Sequence, residues 1–123
     1  MTLNIKLRGT NVEQQLRDQL LGSREWLLDT DEGQKVYNAL KQFCPQIIVA
    51  YILGSIPEQG EVFYEVLINY EMVIDIEITH DNIATLNKSA TISQYLKKLS
   101  KVNQIKLAVA IDLARKTLDG MGG

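Results

Sequence analysis

Asp75-Ile76-Glu77-Ile78 sets two acids at i and i+2, which on a β-strand point to the same side. Two carboxylates held that way can bind a divalent cation or share a proton. Upstream, Leu53-Gly54-Ser55 ends an apolar run, and a Gly-Ser turn leaving a strand can offer its backbone N–H groups to a phosphate. His80 is the chain's single histidine, next to Asp81 and close to Glu77. A lone histidine beside carboxylates could act as an acid or a base. No second His or Cys stands at ligand spacing, so His80 reads as a hydrogen-bonded residue at a strand end. Cys44, the single cysteine, precedes Pro45 at a helix-to-strand corner and reads as a small buried hydrophobe.

Gly54, Ser55, Asp75 and Glu77 together resemble the nucleotidyltransferase signature, in which a Gly-Ser turn holds nucleotide phosphates and paired carboxylates hold Mg²⁺. The resemblance implies a Mg²⁺-dependent nucleotidyl transfer, with Gly54 and Ser55 on the nucleotide and Asp75 and Glu77 on the metal. Nineteen residues separate Ser55 from Asp75, a whole apolar strand intervenes, and no further carboxylate-bearing strand follows Glu77. The acid pair therefore reads first as the solvated face of an antiparallel sheet.

Lysines carry the second alternative. Tyr95-Leu96-Lys97-Lys98-Leu99-Ser100-Lys101 leads into an apolar helix, and the two could form a helix-turn-helix with Lys97, Lys98, Lys101 and Lys106 against nucleic-acid phosphates. The second helix offers few side chains suited to base edges, and the chain as a whole is slightly acidic. Nucleic acid is thus a weaker expectation than a solvated basic face.

The net charge of −2 conceals a segregation. Residues 1–87 carry six bases and thirteen acids, and residues 88–123 carry seven bases and two acids. Between residues 42 and 87 there is no Lys or Arg at all. Either the basic C-terminal helices pack on the acidic sheet, or an acidic sheet face stays open to a basic partner or a second copy. Composition excludes other classes. The longest apolar run, Ile47 to Leu53, is too short for a membrane span. One cysteine permits no internal disulfide and suits a reducing, cytoplasmic setting. No cofactor motif is present.

The elements that must position these residues follow from hydrophobic period. Residues 2–8 alternate apolar and polar and predict a strand. Val12, Leu16, Leu20 and Leu27 predict a helix over about 11–28, with Gly22-Ser23 as a possible break and Ser23 as a cap. Asp31 and Gln34 open a second helix that Cys44-Pro45 ends. Residues 47–53 predict a strand covered on both faces, 54–60 a loop, and 61–68 with 72–79 a hairpin through Asn69-Tyr70-Glu71. Thr91 and Gln94 form a capping box, and a last helix spans about 103–118. Its centre is apolar almost all round, as for a central helix or a homodimer seam.

The expected fold is a single α+β domain over residues 1–123, in the order β-α-α-β-β-β-α-α. Its three- to four-stranded, mainly antiparallel sheet packs against N-terminal and C-terminal helices. The expected function is that of a small intracellular protein-interaction module or accessory subunit without catalysis, with self-association through the C-terminal helices as a variant. Its partner surface would be Glu65, Tyr70, Glu71, Asp75 and Glu77, with Tyr70 as the aromatic anchor.

Overall fold

Two helices, four strands and two further helices follow one another in a computed structural model that describes residues 5–97 and 99–122. They are α1 (Asn11–Asp29), α2 (Asp31–Phe43), β1 (Ala50–Glu58), β2 (Glu61–Ile68), β3 (Met72–Thr79), β4 (Ala84–Thr91), α3 (Ile92–Leu96) and α4 (Lys101–Gly122). The strands form one antiparallel meander in the order β1-β2-β3-β4. The fold class is α+β, with helices from both ends of the sequence on the sheet.

The sheet buries both faces over its inner half. On one face Tyr51, Leu67 and Val73 pack with Leu96 of α3 and with Leu107, Ala110, Leu113 and Ala114 of α4. On the other, Val66, Ile68, Ile74 and Ile76 pack with Val36, Ala39 and Leu40 of α2. Helix α1 serves both layers, giving Leu20 to the first and Leu27 to the second. Each fully buried aliphatic side chain contributes about 2 kcal/mol. Helix α4 is apolar nearly all round because α1 and the sheet both lie against it. Arg17 of α1 donates twice to Asp112 Oδ2 of α4, each at 3.2 Å, and Lys116 reaches the same oxygen at 3.1 Å.

Local chemistry sets the boundaries. The Thr10 hydroxyl caps α1 by accepting from the Glu13 N–H. In return the Glu13 carboxylate, only 7% exposed, accepts from Arg8 N–H, Gly9 N–H and the Thr10 hydroxyl. Thr30 joins α1 to α2: its hydroxyl donates to Trp26 O at 2.6 Å and accepts from Gly33 N–H at 2.9 Å. The helices approach so closely there that a Cβ on Gly33 would lie 1.8 Å from Trp26 O. Asn69, buried and at φ 54°, turns the β2–β3 connection. Its Oδ1 accepts from Ile48 N–H and Val49 N–H, which fixes the segment leading into β1.

Four expectations need correction. Residues 5–8 are not strand (2–4 lie outside the described residues). The alternation there is real, with Ile5 and Leu7 half-buried and Lys6 and Arg8 exposed, but the Arg8 N–H goes to Glu13 rather than to a neighbouring strand. Residues 54–58 belong to β1, so the expected loop shrinks to Gln59-Gly60. Both have positive φ, as a tight two-residue hairpin requires. Helix α1 runs unbroken through Ser23. That hydroxyl donates to Leu20 O within its own helix and accepts from Ile52 N–H on the outer edge of β1. The fourth strand is β4, not the N-terminal segment, so the order is α-α-β-β-β-β-α-α.

Candidate binding cleft

Antiparallel register aligns four residues across the sheet. Gly54 of β1 lies opposite Glu65 of β2, Glu65 opposite Asp75 of β3, and Asp75 opposite Lys88 of β4. Two bulges surround this row. One, between Ile52 and Gly54, adds a residue to β1; the other, beside Asp75/Ile76, leaves Asn87 of β4 unpaired. Such irregularities re-aim side chains at the point where they occur.

The row marks where the helix layer stops. One row inward lie buried Tyr51, Leu67, Val73 and Ala90 beneath α3 and α4. One row outward lie Ile56, Phe63, Glu77 and Thr85, of which Ile56 is 64% exposed. Above the row, the capping box of Thr91 and Gln94 starts α3 and sets Tyr95, whose hydroxyl donates to Glu65 Oε1. Asn103 and Lys106 arrive from the first turns of α4. Three adjoining hollows result. One of about 310 Å³ is lined by Glu65, Asp75, Lys88, Tyr95, Leu99 and Asn103. A second of about 230 Å³ lies against Leu53, Gly54, Tyr95 and Lys106. The third, of about 310 Å³, opens outward over Ile56 and Phe63.

Electrostatics in the cleft are perturbed by partial burial. Desolvation raises the Glu65 pKa, and Asp75 adds repulsion; the Tyr95 hydrogen bond, Lys106 and Lys88 oppose the rise without cancelling it. Desolvation also raises Asp75, against the attraction of Lys88. It lowers Lys106, against the attraction of Glu65. The Tyr95 phenol is held neutral, first by burial and then by donating to Glu65. Titratable groups perturbed together in a cleft are a physical mark of a functional site.

The residues singled out in the sequence separate in space. Glu65 and Asp75 line the cleft. Glu77 lies one row outward, accepting from Asn87 at 3.3 Å, and its proximity raises the pKa of Glu61. Tyr70 and Glu71 are at the hairpin tip at the other end of these strands, where the Arg115 guanidinium sits 5.4 Å from the Tyr70 ring centre. Gly54 and Ser55 are paired strand residues opposite Glu65 and Tyr64 and form no turn into a helix. Among the described residues no three His, Cys, Asp or Glu side chains are grouped to hold a metal. Lys97 and Lys101 are exposed and Lys98 lies outside the described residues, while Lys106 is half-buried in the cleft. Helix α3 is five residues long. His80 pairs with Asp81 at 3.3 Å, both side chains exposed. Cys44 is buried and its thiol pKa is raised by desolvation.

Lys88, Tyr95 and Asn103 escape sequence reasoning as site residues. Tyr95 sits in an apolar helical stripe, and only the capping box just before it, at Thr91 and Gln94, indicates how its hydroxyl is aimed. No helix is long and apolar enough, among the described residues, to cross a membrane. Comparison with protein-family models, with curated proteins and with solved structures finds no match to this chain.

Proposed function

We propose that the protein is a non-catalytic, cytoplasmic interaction module whose outer sheet face receives a basic amphipathic segment of a partner protein. The observation that carries this reading is the early end of the helix layer. Beyond the Gly54–Glu65–Asp75–Lys88 row, Ile56 and Phe63 form an apolar strip flanked by Glu58, Glu61 and Glu77. An exposed apolar strip with an acidic border complements a helix or strand carrying apolar residues on one side and Lys or Arg beside them. A foreign segment is favoured over a second copy because the apolar surface of α4 is already occupied by α1 and the sheet. The buried free thiol of Cys44 suits a reducing compartment.

The test is methyl NMR with a synthetic amphipathic Lys/Leu helix as the probe and a Glu/Leu helix of the same pattern as control. The expected result is salt-sensitive binding of the basic peptide only, with shifts centred on Ile56. Binding should be lost in Glu61→Lys combined with Glu77→Lys while far-UV circular dichroism stays unchanged. Shifts spread over the whole surface, or binding indifferent to the double reversal, would overturn the reading.

A further inference from the structure

The inner cleft differs from the outer strip in bearing both signs of charge. Glu65, Asp75 and Lys88 line one hollow, and Lys106 lines the adjoining one that shares Glu65, Tyr95 and Asn103 with it, so the four formal charges cancel. Of these, only Glu65 has a direct partner, the Tyr95 hydroxyl. The side chains of Asp75, Lys88 and Lys106 make no hydrogen bond and no close ion pair among the described residues, although Asp75 and Lys106 are half-buried. Partly desolvated charges held near one another without contact leave their hydrogen-bonding capacity unused, and a ligand that fills the gap recovers it.

We propose that this cleft binds a small zwitterion of the α-amino-acid class. Its ammonium would lie toward Asp75 and Glu65, and its carboxylate toward the Lys88 and Lys106 ammonium groups. A ligand with no net charge matches a cleft with none; a polyamine or a nucleotide would leave two like charges facing each other. The Asn103 amide adds a neutral polar group on the helix side, and Val73, Ala90 and Leu99 supply an apolar wall for an aliphatic side chain. A hollow of about 310 Å³ accommodates a molecule of that size and lies at the small end of ligand sites. The proposal stands apart from the outer-strip reading, since it uses the row beneath α3 and α4.

The experiment is titration of the whole chain with L-leucine, L-valine and L-phenylalanine, read by methyl NMR at Ala90 and Leu99 and by thermal melting. N-acetyl-leucine and leucine methyl ester, each lacking one charge, are the controls. At least one free amino acid should give saturable shifts at these methyls and a raised Tm. Both derivatives should bind at least about tenfold more weakly, a difference of about 1.4 kcal/mol. Asp75→Asn and Lys106→Met should each weaken binding at least as much, while Phe63→Ser leaves it unchanged. Absence of saturable shifts with all three amino acids in the millimolar range, or equal binding of the derivatives, would overturn the proposal. Failure here with retained binding of the basic peptide would leave the outer-strip reading standing, and the reverse pattern would separate them the other way.

Discussion

The Tyr95 hydroxyl donates to the Glu65 carboxylate, and this one contact ties α3 to the middle of the sheet at the point where the helix layer ends. Glu65 is half-buried, beside a second carboxylate, and its folded-state pKa lies above the ordinary value. The tie therefore offsets part of the cost of a poorly solvated charge. Tyr95→Phe is expected to cost about 2 kcal/mol, as for a hydrogen bond to a charged group, measured by urea unfolding at neutral pH. Because the folded state holds the Glu65 proton more tightly than the unfolded chain, stability should fall as pH rises from the ordinary glutamate pKa through the raised folded one. Glu65→Gln should flatten that slope.

Glu13 has the opposite dependence. Burial pushes its pKa up, but donors from Gly9 N–H, the Thr10 hydroxyl and Arg8 N–H outweigh that and hold it below the ordinary carboxylate value. Its contribution is complete above the unfolded pKa and is lost as pH falls through the folded one. Glu13→Gln should lower Tm at neutral pH and reduce the loss of Tm on acidification, as followed by circular dichroism melts.

Gly33 is fixed by space rather than by backbone angle. A methyl group there would meet the Trp26 carbonyl, a backbone atom that cannot swing away. Gly33→Ala, although it raises helix propensity, should destabilise by about 3 kcal/mol through overpacking of the α1–α2 corner. Denaturant unfolding with an unchanged m-value would separate this from a loss of cooperativity.

Tyr51 points the other way. Its ring is fully buried in the α4-side core and its hydroxyl has no hydrogen-bond partner among the described residues. Removing an unsatisfied buried polar group without changing the ring should help. Tyr51→Phe is expected to stabilise by about 1 kcal/mol, visible as a higher urea midpoint.

The helices and strands β1 to β3 were legible because apolar residues recur at the period of the structure. Leu16, Leu20 and Leu27 mark α1, and Ile74, Ile76 and Ile78 mark one face of β3. Strand β4 was not, for a physical reason: as an edge strand it keeps Thr85 to Ser89 exposed and buries only Ala90 fully, so no alternation survives. Residues 5–8 misled in the reverse sense, since Leu7 packs on the core and its neighbours face solvent although the segment pairs with no strand. Of the candidate site, Glu65 and Asp75 were legible as acids sharing a sheet face. Their grouping with Lys88, Tyr95 and Lys106 depends on β-register and on the α3–α4 corner, which connect residues far apart in the chain.

The strictly sequential strand order has a kinetic consequence. Every strand pairs with the one before or after it, so the sheet can zip up through three short hairpin closures, each with little loop entropy to overcome. The packing of α1 on α4, sealed by Arg17 and Asp112 across 95 positions of sequence, spans by far the longer loop. That seam is expected to close last. Arg17→Ala should then accelerate unfolding while leaving the folding rate nearly unchanged, the signature in a chevron plot of a contact absent from the transition state.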